Sequence, residues 1–301
     1  MRSQNLLNLK KDFSAMSQRI LLTGATGQLG SRLAKHLSAD ERYELLSPSR
    51  QELDLSSETS IKGYLGEKNP ELILHVGAYT QVDKAESERE LCYKINALSS
   101  KFFAEYAARA EVKMFLVSTD YVFGGTGDTP YKEQLSDEEP LNIYGKSKKK
   151  AEGYLAASGI AGAIIRTSWV FSHGAKNFID TMIGLSKNHS EVGVVSDQIG
   201  SPTNADDLAL CIYHLLDLNY DTLKIIHATN EGFCSWYELC AYAFMQLGID
   251  TKLNALRSED FKTAALRPKN SRLDKSFLAQ HNLVMPSWQD SVNRYLLKRG
   301  R

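Results

Sequence analysis

A tyrosine and a lysine four residues apart, Tyr144 and Lys148, could act together as a proton donor and its cationic support. An ammonium one helical turn from a phenol stabilises the phenolate, and so lowers a tyrosine pKa that is about 10 in the free side chain. The spacing alone is a weak signal, because the chain holds 14 tyrosines and the same spacing recurs at Tyr64 and Tyr220. Neither of these follows a strand that could deliver a hydroxyl beside it, so we expect both on the solvated surface.

The segment that precedes Tyr144 distinguishes it from the other two. Thr119 follows the apolar run 114–117, and side chains at the carboxyl end of a buried strand face the ligand in open α/β sheets. The Thr119 hydroxyl could orient a carbonyl by a hydrogen bond while Tyr144 protonates the carbonyl oxygen and a reduced nicotinamide supplies hydride. Lys148 would also bind the nicotinamide ribose. Thr119, Tyr144 and Lys148 are therefore the predicted catalytic residues of a reductase.

Three glycines near the N-terminus predict the cofactor site. Gly24, Gly27 and Gly30 follow an apolar strand and open a helix, which is the context of a dinucleotide-binding turn. Backbone close to a pyrophosphate leaves no room for a Cβ, and the N-terminus of a helix offers unpaired N–H groups. The spacing is GxxGxxG, without the Gly-Lys-Ser/Thr ending of a mononucleotide loop. A tight turn without a ligand is the alternative interpretation.

The end of the second strand, residues 47–50, bears on the choice of cofactor, because it contains hydroxyls and an arginine but no carboxylate. A carboxylate there would accept the 2′-hydroxyl of NADH, whereas an arginine favours the 2′-phosphate of NADPH. We therefore expect NADPH, with NADH as the alternative, and contacts from Ser49 and Arg50. Asp54 and Leu55 follow where they could hold the adenine, unless Asp54 serves as a helix cap.

The elements that must position these residues are those of an α/β protein. Apolar runs alternate with helical patterns from the first strand onward, and they lie at 20–22, 44–46, 72–74, 114–117 and 163–165. Runs without polar alternation indicate strands buried on both faces, hence a doubly wound parallel sheet of the Rossmann type.

The alternation weakens after residue 168, which predicts a smaller C-terminal substrate-binding domain. We expect a dinucleotide-binding Rossmann domain at 18–170, to which 205–228 returns, and a substrate-binding domain made of 171–204 and 229–301. Residues 1–17 form a polar prefix that we expect to be disordered.

Composition narrows the partners. The 301 residues contain 36 acidic and 36 basic side chains, so no global field attracts nucleic acid. No apolar run could span a bilayer, and the first residues lack the apolar stretch of a signal peptide, so we expect a cytoplasmic protein without a membrane partner. The four cysteines show no metal-binding spacing, which favours a reducing compartment and no metal site. Monomer and homodimer both stay open.

Six segments carry a family resemblance. They are ILLTGATGQLG (20–30), AYT with VDKAE (78–80 and 82–86), STDYVF (118–123), YGKSK (144–148), RTSWVF (166–171) and DQIGSPT (197–203). Together they closely resemble the dTDP-4-dehydrorhamnose reductases, which are extended short-chain dehydrogenases/reductases. The resemblance covers nearly everything after Met16.

The resemblance implies NADPH-dependent reduction of the C4 ketone of dTDP-4-dehydro-L-rhamnose to dTDP-L-rhamnose, a sugar donor for surface polysaccharide. The predicted cofactor contacts are Gly24, Gly27, Gln28, Leu29, Gly30, Ser49, Arg50, Asp54, Leu55, Ala78, Tyr79, Thr80, Tyr144 and Lys148. The predicted substrate contacts are Thr119, Asp120, Tyr121, Trp169 and Arg267. For Arg267, which could meet the diphosphate of this small nucleotide-sugar substrate, a surface ion pair is the alternative.

Other interpretations of the same fold remain. A sugar-nucleotide dehydratase would carry a glutamate where this chain has Tyr121, so elimination lacks its acid. A reductase of another deoxysugar nucleotide, or a non-catalytic NADP-binding regulatory subunit, stays open. Some relatives dimerise through magnesium held by an acidic residue early in the first helix; this chain has Ser31 and Arg32 there, so no metal-bridged dimer is expected.

Overall fold

The computed structural model describes residues 17–299. The strands are β1 (Gln18–Thr23), β2 (Tyr43–Leu46), β3 (Leu72–His75), β4 (Lys113–Thr119), β5 (Gly162–Thr167), β6 (Val170–Phe171), β7 (Glu191–Val195), β8 (Ile199–Gly200), β9 (Thr203–Asn204), β10 (Leu223–His227), β11 (Cys234–Ser235) and β12 (Lys252–Leu256). The helices are α1 (Gln28–Ser38), α2 (Glu58–Lys68), α3 (Val82–Ala85), α4 (Arg89–Tyr93), α5 (Ser99–Ala110), α6 (Ile143–Ser158), α7 (Phe178–Ser186), α8 (Ala205–Leu215), α9 (Trp236–Leu247), α10 (Ser276–Gln280) and α11 (Trp288–Arg299). A π-helical turn joins α4 to α5.

Six of these strands form a parallel sheet in the order β10-β5-β4-β3-β1-β2. The strand order reverses between β1 and β3, so the connections that follow these two strands diverge and leave a crevice at the carboxyl edge. Each of the five predicted apolar runs lies in one strand. The predicted doubly wound parallel sheet is confirmed.

The strands are apolar throughout because both faces of the sheet are covered. In β1, Ile20 and Leu22 pack with α1 and α8 on one face, whereas Leu21 packs with α2 and α5 on the other. Side chains alternate between faces along a strand, so burying both faces requires an unbroken apolar run. The two cores hold the carboxyl edge of the sheet as a rigid platform.

The remaining elements surround a third core. β7 and β12 pair in parallel, and α7, α9 and α11 contribute to an apolar cluster that includes Phe171, Phe244 and Tyr295. The stretch between β9 and β11 adjoins the main sheet instead, since α8 packs on α1 and β10 pairs with β5. The two predicted domains and their boundaries stay a prediction. The expected disorder of the prefix falls on 1–17, of which 1–16 lie outside the described residues.

The expectation that Tyr64 and Tyr220 are solvated is wrong for Tyr220 and only half right for Tyr64. The Tyr220 side chain is 3% exposed, its ring meets Phe115 edge-on at 5.2 Å between centroids, and its hydroxyl donates to the Leu215 carbonyl at 3.0 Å. Tyr64 is half-buried against the core beneath α2 and α5. Tyr220 is buried because it packs in the apolar cluster that contains Phe115 and the inner face of α8, shortly before β10 begins. Within residues 17–299, no helix has the length and apolar character to cross a membrane.

Candidate active site

A cavity of about 650 Å³ opens at the carboxyl edge of the sheet. The connections after β1, β2, β3, β4 and β5 contribute to its wall, together with the start of α6. The predicted site residues on this wall are Gly24, Gly27, Gln28, Leu29, Gly30, Arg50, Asp54, Leu55, Ala78, Thr80, Thr119, Asp120, Tyr121, Tyr144, Lys148 and Trp169. Residues predicted separately for catalysis, cofactor and substrate thus meet in one cavity.

The glycine turn fits an anionic cofactor. Gly27 is the N-cap of α1 and supplies no side-chain hydrogen bond, so the first-turn N–H groups of the helix stay available to a ligand. The turn is also tight: a Cβ on Gly30 would lie 2.0 Å from the Gly24 carbonyl oxygen. The Gln28 side chain is held by the Ser172 hydroxyl, which donates to its Oε1 at 2.9 Å. This arrangement suits the diphosphate of a dinucleotide.

The end predicted to take the adenosine is lined by Arg50, Asp54 and Leu55. The Asp54 carboxylate accepts the N–H and hydroxyl of Ser56, at 2.9 and 2.7 Å, so it closes a turn. The cap of α2 is Ser57, whose Oγ accepts the Ser60 N–H. The alternative role of Asp54 as a helix cap is therefore wrong, and Asp54 lines the cavity from within this turn.

The start of α6 brings Tyr144, the predicted proton donor, close to the end of β4, where Thr119 is predicted to bind the carbonyl oxygen. Asn142 caps the helix by accepting the Gly145 N–H at 2.8 Å, which places Tyr144 in the first turn. A Cβ on Gly145 would lie 2.2 Å from the Tyr121 carbonyl oxygen, so α6 packs directly on the turn that follows β4. The Tyr144 ring meets that of Tyr121 edge-on at 5.8 Å. Thr119, the last residue of β4, borders the same turn.

The pKa of Tyr144 is shifted in the opposite direction from the one expected, and that of its predicted partner Lys148 is shifted as well. Burial raises the pKa of Tyr144, and the Thr119 hydroxyl opposes that rise only in part. Burial lowers the pKa of Lys148 to about 8, although the charge of Glu152 works the other way. The Lys148 ammonium donates to the Val117 carbonyl at 2.7 Å. The expected lowering of the tyrosine pKa is therefore wrong, because the largest effect on Tyr144 is the burial of its phenol, which raises the pKa.

Asp120 and Thr167 each present to the cavity a buried side-chain oxygen that has no hydrogen-bond partner among the described residues. In Asp120 this oxygen is Oδ2, whereas Oδ1 accepts the Thr119 hydroxyl at 2.9 Å. Burial raises the pKa of this carboxyl to about 6. A buried carboxylate oxygen without a donor suits a ligand hydroxyl. Because a threonine hydroxyl has a single proton, Thr119 must give up the bond to Asp120 before it can donate to a carbonyl.

Three predicted contacts have other partners in this structure and do not line the cavity. The Ser49 N–H donates to Glu52 at 2.8 Å, and the Tyr79 hydroxyl donates to Glu88 at 2.6 Å. Arg267 forms a two-pronged ion pair with Asp83, at 2.7 and 3.1 Å. That pair is the alternative left open for Arg267 by the sequence. Direct ligand contacts from the three residues stay predictions.

A buried ion pair beneath the cavity was missed by sequence reasoning. Arg166 of β5 donates to both oxygens of Glu152 in α6, at 2.9 and 2.6 Å, and the Ser118 hydroxyl donates to Oε1 at 2.6 Å. The Arg166 and Glu152 side chains are 0% and 2% exposed. The pair joins the helix of Tyr144 to the strands that end in Thr119 and Thr167. The sequence did offer one signal of this pair, because an arginine that directly follows the buried apolar run 163–165 needs a buried acidic partner.

Sequence reasoning also missed Trp236, which lines the cavity beside Trp169. The two indole rings are stacked, with centroids 3.6 Å apart and an angle of 11° between planes. No local pattern links residues so far apart in sequence; only the Ser-x-x-Glu helix start at Ser235 was visible. Within residues 17–299, no group of three or more His, Cys, Asp or Glu side chains could hold a metal ion.

Comparison with known proteins supplies the family. The family model for the RmlD substrate binding domain matches residues 18–300. The chain belongs to that family. Among similar proteins is the dTDP-4-dehydrorhamnose reductase of Aggregatibacter actinomycetemcomitans, which is 38% identical over 91% of this chain and 97% of the relative. The spore coat polysaccharide biosynthesis protein SpsK of Bacillus subtilis is 34% identical over 94% of this chain and 98% of its own.

Solved structures agree with this membership of the RmlD family. The dTDP-4-dehydrorhamnose reductase of Bacillus anthracis, solved in complex with NADP, superposes with a TM-score of 0.86 at 35% identity, covering 94% of this chain and 100% of that one. The Clostridium acetobutylicum reductase gives a TM-score of 0.87 at 34% identity, with the same coverage. The family predicted from the six segments is confirmed.

Proposed function

We propose that this chain reduces the C4 ketone of dTDP-4-dehydro-L-rhamnose to dTDP-L-rhamnose with NADPH. The observation that carries the proposal is the meeting of Thr119, Tyr144 and Lys148 on one cavity with the glycine turn. Family membership and the reductase name of several full-length relatives support the substrate. The NADP bound to the Bacillus anthracis relative supports the cofactor.

In this proposal the glycine turn and the N-terminus of α1 hold the cofactor diphosphate, and Arg50 lies where it can meet a 2′-phosphate. When bound, NADPH supplies the hydride. Lys148, fixed on the Val117 carbonyl, contacts the nicotinamide ribose and contributes a positive charge. Ser49 and Tyr79 are sequence neighbours of the cavity-lining Arg50 and Ala78, and in this proposal they also contact the cofactor.

The residues of the chain then handle the proton. Tyr144 is protonated at neutral pH, since a free tyrosine has a pKa of about 10 and burial raises the pKa of Tyr144 further. Thr119 rotates away from Asp120 and donates to the ketone oxygen, which positions the carbonyl against Tyr144. As the oxygen gains negative charge, Tyr144 transfers its proton there. The freed Asp120 carboxylate accepts a sugar hydroxyl, and Tyr121 and Trp169 border the ring.

The decisive experiment combines purified protein, NADPH and dTDP-4-dehydrorhamnose, with absorbance at 340 nm and identification of the sugar product. We expect equal consumption of NADPH and formation of dTDP-L-rhamnose. Cofactor binding without turnover would favour the regulatory-subunit alternative. Turnover of a different 4-keto deoxysugar nucleotide, with none of this one, would identify another reductase of the same family.

Cofactor choice is tested separately at Arg50. We expect kcat/KM to be higher with NADPH than with NADH, and Arg50→Ala to reduce the NADPH value while leaving the NADH value nearly unchanged. Equal values for the two cofactors in the unchanged protein would refute the role assigned to residues 47–50.

We also propose that the enzyme is cytoplasmic and acts as a monomer or homodimer on a small-molecule substrate, with neither nucleic acid nor membrane as a partner. Cell fractionation can check the compartment, and light scattering can check the oligomeric state.

A further inference from the structure

Trp169 has a backbone conformation that its side chain does not favour. Its φ is +49°, in the left-handed region where a bulky residue is uncommon. Such strain persists only where the surroundings impose it, and it concentrates at ligand sites. The Trp169 carbonyl accepts the Thr203 N–H at 3.2 Å, and the preceding Ser168 hydroxyl donates to the Ser201 carbonyl at 2.8 Å. These bonds hold the backbone, but they do not fix the indole.

Two short paired strands fix the indole. β8 and β11 are antiparallel, with Gly200 opposite Cys234 and Ile199 opposite Ser235. Gly200 leaves room for the Trp169 ring, because a Cβ there would lie 2.8 Å from Cε2 and 2.9 Å from Cζ2. Trp236 follows β11 directly and stacks on Trp169. One ladder therefore sets the separation of both groups that touch the indole.

Trp236 is itself firmly placed. Ser235 caps α9 by accepting the Glu238 N–H at 3.0 Å, and the Glu238 carboxylate accepts the Ser235 N–H at 2.6 Å, which forms a capping box. Phe178 packs on the Trp236 ring at 4.6 Å between centroids. The stacked pair is continuous with the third core and borders the cavity that contains Tyr144.

We propose that Trp236 is a positioning residue for the sugar, acting by holding the Trp169 indole in place as an apolar wall of the cavity. The inference rests on the proposed function insofar as the ligand is a deoxysugar nucleotide. The apolar C–H face and methyl group of a 6-deoxysugar match an aromatic wall, whereas the nucleotide and the dinucleotide cofactor depend on other residues. Loss of Trp236 should therefore reduce the part of the binding free energy that the sugar supplies and leave the part that the nucleotide supplies unchanged.

Binding without turnover tests this, with dTDP-L-rhamnose and dTDP as the two probes in titration calorimetry. In Trp236→Ala we expect the affinity for dTDP-L-rhamnose to fall about tenfold, near the upper limit for an aromatic pair, while the affinity for dTDP stays within about twofold. Trp236→Phe keeps a ring and should restore most of the loss. Gly200→Ala pushes on the indole from β8 and should give the same selective loss, which keeps the test valid if Trp236→Ala folds poorly.

The matched control is Trp288→Phe. Trp288 is buried, meets Tyr242 edge-on at 5.1 Å and does not line the cavity, so this change should leave both affinities unaltered. Equal weakening of dTDP and dTDP-L-rhamnose in Trp236→Ala would overturn the proposal, as would an unchanged preference for the sugar nucleotide. A wild-type protein that binds the two probes equally would also overturn it. Because no turnover is measured, failure of the reductase assay is a separate result.

Discussion

Replacing Glu152 by Gln should destabilise the protein far more than its small change in shape suggests. The substitution leaves the fully buried Arg166 guanidinium without its carboxylate, and it removes the ionic acceptor of the Ser118 hydroxyl. Breaking a buried ion pair by removing one partner typically costs about 3–5 kcal/mol. The amide oxygen of Gln can still accept one N–H, and Arg166 keeps its bond to the Gln134 carbonyl at 2.9 Å. We therefore expect a loss of about 3 kcal/mol.

Urea unfolding measures this loss as a change in midpoint at constant slope. The matched control is Glu58→Gln, which breaks the exposed pair with Lys62 and should cost less than about 1 kcal/mol. Arg166→Met should also be strongly destabilising. The double variant Glu152→Gln/Arg166→Met should cost less than the sum of the two single changes, since no charge is then left unpaired.

The same substitution has a consequence in the active site. The Glu152 charge supports the protonated form of Lys148, whose pKa is already lowered to about 8 by burial. Without that charge the pKa of Lys148 falls further, so the alkaline limb of kcat/KM should move to lower pH. A loss of stability no larger than that of Glu58→Gln, together with an unmoved alkaline limb, would refute the assignment of this pair as the support of the catalytic helix.

Three further outcomes are expected. Tyr144→Phe should bind NADPH normally and lose turnover by about 10²–10⁴-fold, and retained activity would remove Tyr144 from the acid role. Asp120→Asn should raise the free energy of unfolding at pH 7 by roughly 1–3 kcal/mol. The carboxyl has a pKa of about 6 in the folded protein and 3.8 in the unfolded chain, so its ionisation destabilises the fold as pH rises through that window. The stability gained by Asp120→Asn should therefore vanish near pH 4 in urea unfolding. Arg267→Ala should raise the substrate KM at constant kcat if the guanidinium leaves Asp83 for the diphosphate, whereas Asp83→Ala should not; equal KM values for wild type and Arg267→Ala would leave Arg267 a surface ion pair.

The parts of the site that lie close together in sequence were predictable, because local patterns encode them. The glycine turn, the hydroxyl after β4 and the start of α6 each follow from a short segment and its position relative to a strand. The expectation that Tyr220 is exposed failed because its ring packs on Phe115, a contact between residues far apart in sequence that no local pattern reveals. The roles of Trp236 and Glu152 were not predicted for a related reason. The β8–β11 pairing brings Trp236 to Trp169, and the packing of α6 near β5 brings Glu152 to Arg166.

The raised pKa of Tyr144 suits the direction of the proposed reaction. A reductase needs a tyrosine that holds its proton until an alkoxide forms, and a phenol whose pKa is raised above about 10 is neutral at neutral pH. The developing alkoxide is a stronger base than the phenolate, so transfer remains favourable even from a phenol of raised pKa. The reverse oxidation would instead need a phenolate, which burial of the Tyr144 ring disfavours. The burial that disfavours the phenolate therefore fits the proposed direction, in which Tyr144 starts as the neutral phenol.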